Sequence, residues 1–87
     1  MPASFTIRAV TVDPQRPKRV YAGGPDGLFA SDDAGKTWTP SGQGLPASAV
    51  TALALDPAQP ATLYAATANG LYRSEDGAAS WHVWPSP

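Results

Sequence analysis

Few residues in this 87-residue chain can do chemistry: seven carboxylates, six lysines and arginines, the single histidine His82, and no cysteine. The absence of thiols excludes disulfides, thiolate metal sites and a cysteine nucleophile together. Carboxylates are adjacent in two places, Asp32-Asp33 within Ser31-Asp32-Asp33-Ala34-Gly35-Lys36-Thr37-Trp38 and Glu75-Asp76 within Ser74-Glu75-Asp76-Gly77-Ala78-Ala79-Ser80-Trp81. Such pairs have two uses. They can hold a cation, or they can accept hydrogen bonds from the N–H groups of their own tight turn. The Ser, Gly, Thr and Trp around them fit the second use, a hairpin staple, and no metal site is assigned. Retaining glycosidase chemistry needs two carboxyls about 5 Å apart. The one glutamate, Glu75, lies inside the second cluster, no carboxylate pair stands out elsewhere, and no catalytic residue is assigned. His82 reads as a surface residue of an outer strand.

The elements that position these residues follow from punctuation. Ten prolines and eight glycines leave little room for helices of ordinary length. Between them lie short runs rich in Val, Leu, Tyr, Phe, Thr and Ala, which read as strands. The chain also repeats itself at an offset of 43: Asp13-Pro14 with Asp56-Pro57, Tyr21-Ala22 with Tyr64-Ala65, Gly27-Leu28 with Gly70-Leu71, Ser31 with Ser74, Asp33 with Asp76 and Trp38 with Trp81. Conservative pairs such as Val10/Leu53, Val12/Leu55, Val20/Leu63 and Phe29/Tyr72 fill the gaps.

Each copy parses into four strands, over 7–12, 19–22, 28–31 and 38–39 in the first and 50–55, 62–67, 71–74 and 81–84 in the second. Asp-Pro ends the first strand. Asp26-Gly27 and Asn69-Gly70 predict type I′ hairpin turns, with positive φ at both central residues. Four antiparallel strands repeating at about 40–45 residues is the period of a β-propeller blade. The fold is therefore expected to be all-β, with two four-stranded antiparallel blades, one over 1–44 and one over 45–87. The first strands have no regular polar face, which predicts burial on both sides.

The cluster over 31–38 carries a resemblance: it matches Ser-x-Asp-x-Gly-x-Thr-Trp at every fixed position. The chain resembles the Asp-box (BNR) repeat propellers, which include sialidases, sortilin-type receptor domains, some glycoside hydrolases and photosystem II assembly factors. The copy over 74–81 is degenerate, with Ala78 for the glycine and Ser80 for the threonine, so Gly77 is expected to take the glycine's role in a turn shifted by one residue. The resemblance implies structural roles for Ser31, Asp33, Gly35, Thr37, Trp38, Ser74, Asp76, Ser80 and Trp81. It places these turns opposite the family's active-site face. The chain lacks the arginine trio and tyrosine–glutamate pair of the family's sialidases, so it is read as not an enzyme and without a cofactor.

Two blades cannot close a propeller of roughly four to eight. The chain is therefore expected to self-associate head to tail, three copies giving six blades and four giving eight, with its N-terminal Met1-Pro2-Ala3-Ser4 resembling the Leu45-Pro46-Ala47-Ser48 linker. The expected ligand face carries Arg8, Asp26, Gln43 and Asn69. Arg8, repeated around a ring, could bind a small anion, but bonding to a neighbouring blade's backbone is the favoured role. A net charge of −1, a sequence pI near 5.5 and the lack of a basic cluster argue against nucleic acid. No stretch reaches the roughly 20 apolar residues of a membrane helix, and no leader is expected at the N-terminus; the chain reads as soluble, its compartment unknown. The functional reading is a non-catalytic, self-assembling binding or assembly scaffold, or an engineered or truncated repeat fragment. The alternative is a glycan-binding or glycoside-hydrolase-like, sialidase-like fragment.

Overall fold

The computed structural model describes residues 6–45 and 49–85. The likeness between Met1–Ser4 and Leu45–Ser48 falls, Leu45 aside, on residues outside that description. Eight strands form two four-stranded antiparallel sheets. The first contains β1 (Ala9–Asp13), β2 (Arg16–Gly24), β3 (Gly27–Ser31) and β4 (Thr39–Pro40). The second contains β5 (Val50–Leu55), β6 (Leu63–Thr67), β7 (Gly70–Ser74) and β8 (His82–Val83). Each sheet is a meander, its strands paired in chain order, so every connection inside a sheet is short.

The strands differ from the sequence expectation mainly at their ends. β2 begins at Arg16, three residues early, because Asp13 pairs with Arg16 beyond a register shift after Val12. β4 lies at 39–40 rather than 38–39, and Pro40 is tolerated there because an outer strand has one unpaired edge. The hairpin turns are not type I′. Gly24 pairs with Gly27 across Pro25-Asp26, and positive φ falls on Gly27 (110°) and Gly70 (119°), with none at Asp26 or Asn69. The ring of Pro25 fixes φ near −65° and excludes the type I′ conformation at that position.

The two sheets stack face to face. Tyr21, Leu28 and Ala30 of the first sheet join Val50, Leu63, Ala65, Ala78 and Trp81 in one core, with Leu53, Leu55 and Tyr72 against it. β5 packs directly on β1 and β2. The approach is close enough at one point to exclude a side chain: a Cβ on Gly23 would stand 2.6 Å from Cγ1 of Val50.

The expectation that both faces of the first strands are buried is corrected. Val10 and Val12 are 59% and 46% exposed, and Ala52 and Ala54 are exposed as well. Each sheet has one neighbour in the chain, so alternation along the strand buries one face and leaves the other open. Replacing Gly23 by Ala is expected to cost about 1–3 kcal/mol through overpacking. Adding Val50→Ala in the same chain should recover part of the loss. Urea denaturation of the three variants measures both effects and their coupling.

Candidate functional site

The two carboxylate clusters sit at one end of the sheets, after β3 and β7. In the 31–38 turn, Oδ1 of Asp33 accepts from the Ser31 hydroxyl (2.7 Å) and the Thr37 N–H (2.8 Å), and the Thr37 hydroxyl donates to Oδ2. The N–H of Gly35 donates to Oγ of Ser31 (2.9 Å). The 74–81 turn repeats this net. Asp76 accepts from the Ser74 hydroxyl (2.7 Å), the Ser80 N–H (3.0 Å) and the Ser80 hydroxyl (2.6 Å), while Ala78 N–H donates to Ser74 Oγ (2.9 Å). A serine hydroxyl in place of threonine's changes nothing in the pattern.

The expected one-residue shift of the second turn does not occur. Two consecutive residues are left-handed in both copies, Ala34 (φ 62°) and Gly35 (φ 92°) in the first, Gly77 (φ 71°) and Ala78 (φ 71°) in the second. The glycine and alanine have exchanged places on an unchanged backbone, whose offsets are held by the aspartate and serine side chains.

These bonds set the charge state. Hydroxyl donation from Thr37 and Ser31, with the Thr37 N–H, holds the Asp33 carboxyl well below the ordinary carboxylate range. Ser80 and Ser74 do the same for Asp76, bringing it to about 2. Asp13 differs. Burial pushes its carboxyl up, but the N–H groups of Gln15 (2.8 Å) and Arg16 (3.3 Å), with the Arg16 guanidinium, outweigh that and lower it. Asp56 caps the equivalent turn of the second sheet, accepting from the Ala58 N–H at 2.9 Å. Asp-Pro thus forms an Asx turn in each copy, a role that the sequence marked only as a strand end.

The two tryptophans diverge. The Trp38 indole donates to its own turn, at Gly35 O (2.9 Å). That of Trp81 donates to Ser41 O (2.8 Å) in the segment between the sheets, and its backbone N–H donates to Gln43 O (2.9 Å). Trp81 is consequently 5% exposed and part of the core.

Arg19, at the start of the sequence-read strand over 19–22, lies at the carboxylate end. It donates to Asp32 Oδ1 (2.8 Å), the Tyr21 hydroxyl (3.1 Å) and Gly77 O (3.0 Å), the last in the other sheet's turn. Burial pushes its pKa down, but Tyr21 and Asp32 more than offset this and raise it.

Arg8, Asp26 and Asn69 stand at the opposite end, whereas Gln43 lies in the segment between the sheets, its carbonyl accepting from the Trp81 N–H of the 74–81 turn. Arg8 precedes β1, its N–H donating to Gly23 O (2.8 Å); Asp26 and Asn69 occupy the β2–β3 and β6–β7 turns; and Gln43 follows β4. All four are exposed, and among the described residues no hydrogen bond or ion pair joins their side chains. None of the four lines the apolar groove described next, and the structure does not bring them together.

A shallow apolar groove of about 140 Å³ lies elsewhere, lined by Ala52, Leu53, Ala54, Tyr64, Ala66 and Leu71 on the second sheet. Beside it, Tyr64 meets Trp84 edge to face at 5.1 Å, and the Arg73 guanidinium stands 5.8 Å from the Tyr64 ring. Tyr72 packs on the core; Tyr64 is the residue Trp84 meets.

No family model matches the chain, and no curated protein does. Solved structures do. The GH74 xyloglucanase from Xanthomonas campestris superposes with a TM-score of 0.72 and 23% identity over 90% of this chain and 15% of its own. The Niastella koreensis GH74 enzyme gives 0.76 and 25% over 87% of this chain and 13% of its own, and an ancestral GH74 enzyme gives 0.73 and 18% over 94% and 13%. These are β-propeller enzymes, and the two stacked meanders of this chain have the fold of consecutive propeller blades. The chain spans about a seventh of the length of the structures it matches.

Two outcomes follow from the turns. Because Asp33 and Asp76 are depressed below the unfolded value of 3.8, their stabilisation is complete above about pH 4 and is lost as pH falls toward 2 and lower. Asp76→Asn should destabilise the chain at pH 7 and flatten the fall in melting temperature between pH 4 and 2, measured by circular dichroism. Ala34→Gly removes a left-handed Cβ that costs roughly 1–2 kcal/mol, so a net gain of about 0.5–1 kcal/mol is expected after glycine's entropy loss. Ala78→Gly gives up a fully buried methyl, worth about 0.8 kcal/mol, and should gain nothing. Urea titration separates the two.

Proposed function

We propose that the chain is a blade pair of a glycan-active propeller, supplying wall and binding surface rather than the reacting carboxylates. The observation that carries this reading is the superposition of both sheets, in their relative placement, on GH74 enzymes at TM-scores of 0.72–0.76. In this reading the 31–38 and 74–81 turns are Asp-box staples, and the exposed Arg8, Asp26, Gln43 and Asn69 are the ligand-binding residues.

The chemistry agrees. A guanidinium, a carboxylate and two amides offer the mixed donors and acceptors that sugar hydroxyls require. A general acid for glycoside hydrolysis needs a raised pKa. Asp33 and Asp76 are lowered, their oxygens occupied by their own turns, and they hold no proton to give at neutral pH. Because one neighbour is a xyloglucanase, xyloglucan is the first glycan to try.

Affinity electrophoresis in gels containing xyloglucan should retard the chain, and Asp26→Asn with Asn69→Ala should abolish the retardation. Reducing ends should not accumulate. Release of reducing ends, lost in Asp26→Asn, would overturn the non-catalytic part; migration unaffected by xyloglucan and by other plant and bacterial glucans would overturn the glycan reading. A second reading, a self-assembling scaffold, is favoured by the two open apolar sheet faces.

A further inference from the structure

The two open faces belong to different sheets and opposite sides. On the first sheet it is the side carrying Val10 and Val12, 59% and 46% exposed. On the second it is the groove side with Tyr64, Ala66 and Leu71, Leu71 being 44% exposed. Under the 43-residue repeat these faces are the counterparts of the two that already meet inside the chain. Tyr64, Leu71 and Ala66 correspond to Tyr21, Leu28 and Gly23; Val10, Val12 and Val20 correspond to Leu53, Leu55 and Leu63.

We propose that the Tyr64 face of one chain takes the Val10–Val12 face of a second copy, head to tail, repeating between chains the contact the two sheets make within one. This goes beyond the glycan reading and does not depend on it.

Three observations favour a second copy as occupant. The first is continuity with the internal interface, which supplies the geometry: Tyr21, Leu28 and Ala30 are at most 2% exposed under the second sheet.

The second is matched volume. Arg73 stands where the first sheet has Ala30, and Ala66 where it has Gly23, so the Tyr64 face is bulkier than its counterpart. The facing surface is smaller to the same sense. It carries Val10, Val12 and Val20 where the second sheet has leucines, one methylene less at each, and Gly35 where the second sheet has Ala78. Close packing requires such compensation.

The third is the cation. Arg19 lies over the Tyr21 ring at 5.0 Å and donates across the interface to Gly77 O (3.0 Å). Position 62, its counterpart, is threonine. Arg73 instead reaches the equivalent ring, Tyr64, from the adjacent strand (5.8 Å), with a loose contact to Glu75 (3.9 Å) and its Nε buried without an acceptor. In the pair of copies the counterpart of Gly77 is Ala34, whose carbonyl a guanidinium over Tyr64 would meet.

The contact is heterologous, so it propagates until a ring closes. Propellers close at about four to eight blades; three copies give six.

Light scattering on a sizing column at micromolar concentration should read about 27 kDa, three chains of 9.0 kDa. A mass of four chains would support the same face pairing with eight blades. A folded species of 9.0 kDa, or a dimer that stops there, would overturn the proposal. Val10→Asp damages only the face given to the next copy, and Leu71→Asp only the face that receives it. Both positions are exposed in the single chain, so each variant should remain folded and fall threefold in mass to the monomer. Mixed in equal amounts, they retain one intact pair of faces and should form a capped dimer of two chains. A mixture that stays monomeric, or single variants that keep the parent mass, would overturn the pairing.

Discussion

The approach of β5 to β2 at Gly23 is the contact on which the rest depends. A single Cβ there would stand 2.6 Å from Val50, so the absence of a side chain at one residue sets how close the sheets lie. That spacing brings Tyr21, Leu28 and Ala30 into the same core as Leu63 and Ala65. Two polar links then fix the rotation between sheets. Arg19 ties the carboxylate end through Gly77 O, and Trp81 ties the outer edge through Ser41 O. Apolar stacking supplies the free energy but is non-directional; the two hydrogen bonds choose one angle among those that would bury similar area.

The carboxylate turns solve a separate problem. A seven-residue excursion between one strand and the next outer one leaves several N–H groups with no ladder partner. One aspartate and one serine per turn accept them. The net is identical in both copies although the glycine has moved by one position, because hydrogen-bond geometry holds the backbone left-handed whichever of the two residues is alanine. The cost is about 1–2 kcal/mol for each alanine so held, a strain the surrounding bonds tolerate. The same saturation that stabilises the turn removes these carboxylates from acid–base chemistry.

Much of this was legible in the sequence, for reasons that can be named. The 43-residue offset, Asp-Pro, and the Gly-Leu starts of β3 and β7 are local signals, and they give eight strands in two meanders. The turn type is misread because Asp-Gly and Asn-Gly signal a type I′ hairpin only where they are its two central residues, and the pairing of Gly24 with Gly27 and of Thr67 with Gly70 puts Pro25-Asp26 and Ala68-Asn69 there instead. The burial of both faces of β1 was inferred from composition, which reports what a strand is suited to meet rather than what it meets in one chain. Val10 and Val12 carry a buried residue's chemistry in an exposed place. Arg19 and Trp81 were not legible as clamps, since their partners lie 58 and 40 residues away, and nothing local in the sequence marks such pairings. Arg8, Asp26 and Asn69 are placed by turn positions and strand entries, which alternate ends in a meander, while the bond from the Trp81 N–H to Gln43 O is a long-range contact that no local signal marks. The mutual independence of the four side chains depends on their reach, which sequence spacing does not encode.

This division of labour limits what each part of the chain can do. The inward sheet faces are committed to stacking: Tyr21, Leu28, Ala30, Leu63 and Ala65 are buried in one core, and the polar Arg19 on the same face bonds across it to Gly77 O. The carboxylate end is committed to its own backbone: Asp13, Asp33, Asp56 and Asp76 each accept bonds from neighbouring N–H groups. At the end with the hairpin turns, the side chains of Arg8, Asp26 and Asn69 make no hydrogen bond or ion pair among the described residues. A substitution at Asp26 or Asn69 removes no ladder bond and no core contact, so ligand recognition can change there without cost to the fold. At Asp33 or Gly23 the same change would reach the stacking geometry directly. Selection for a ligand would therefore act at that end first, on a scaffold whose stability is decided elsewhere.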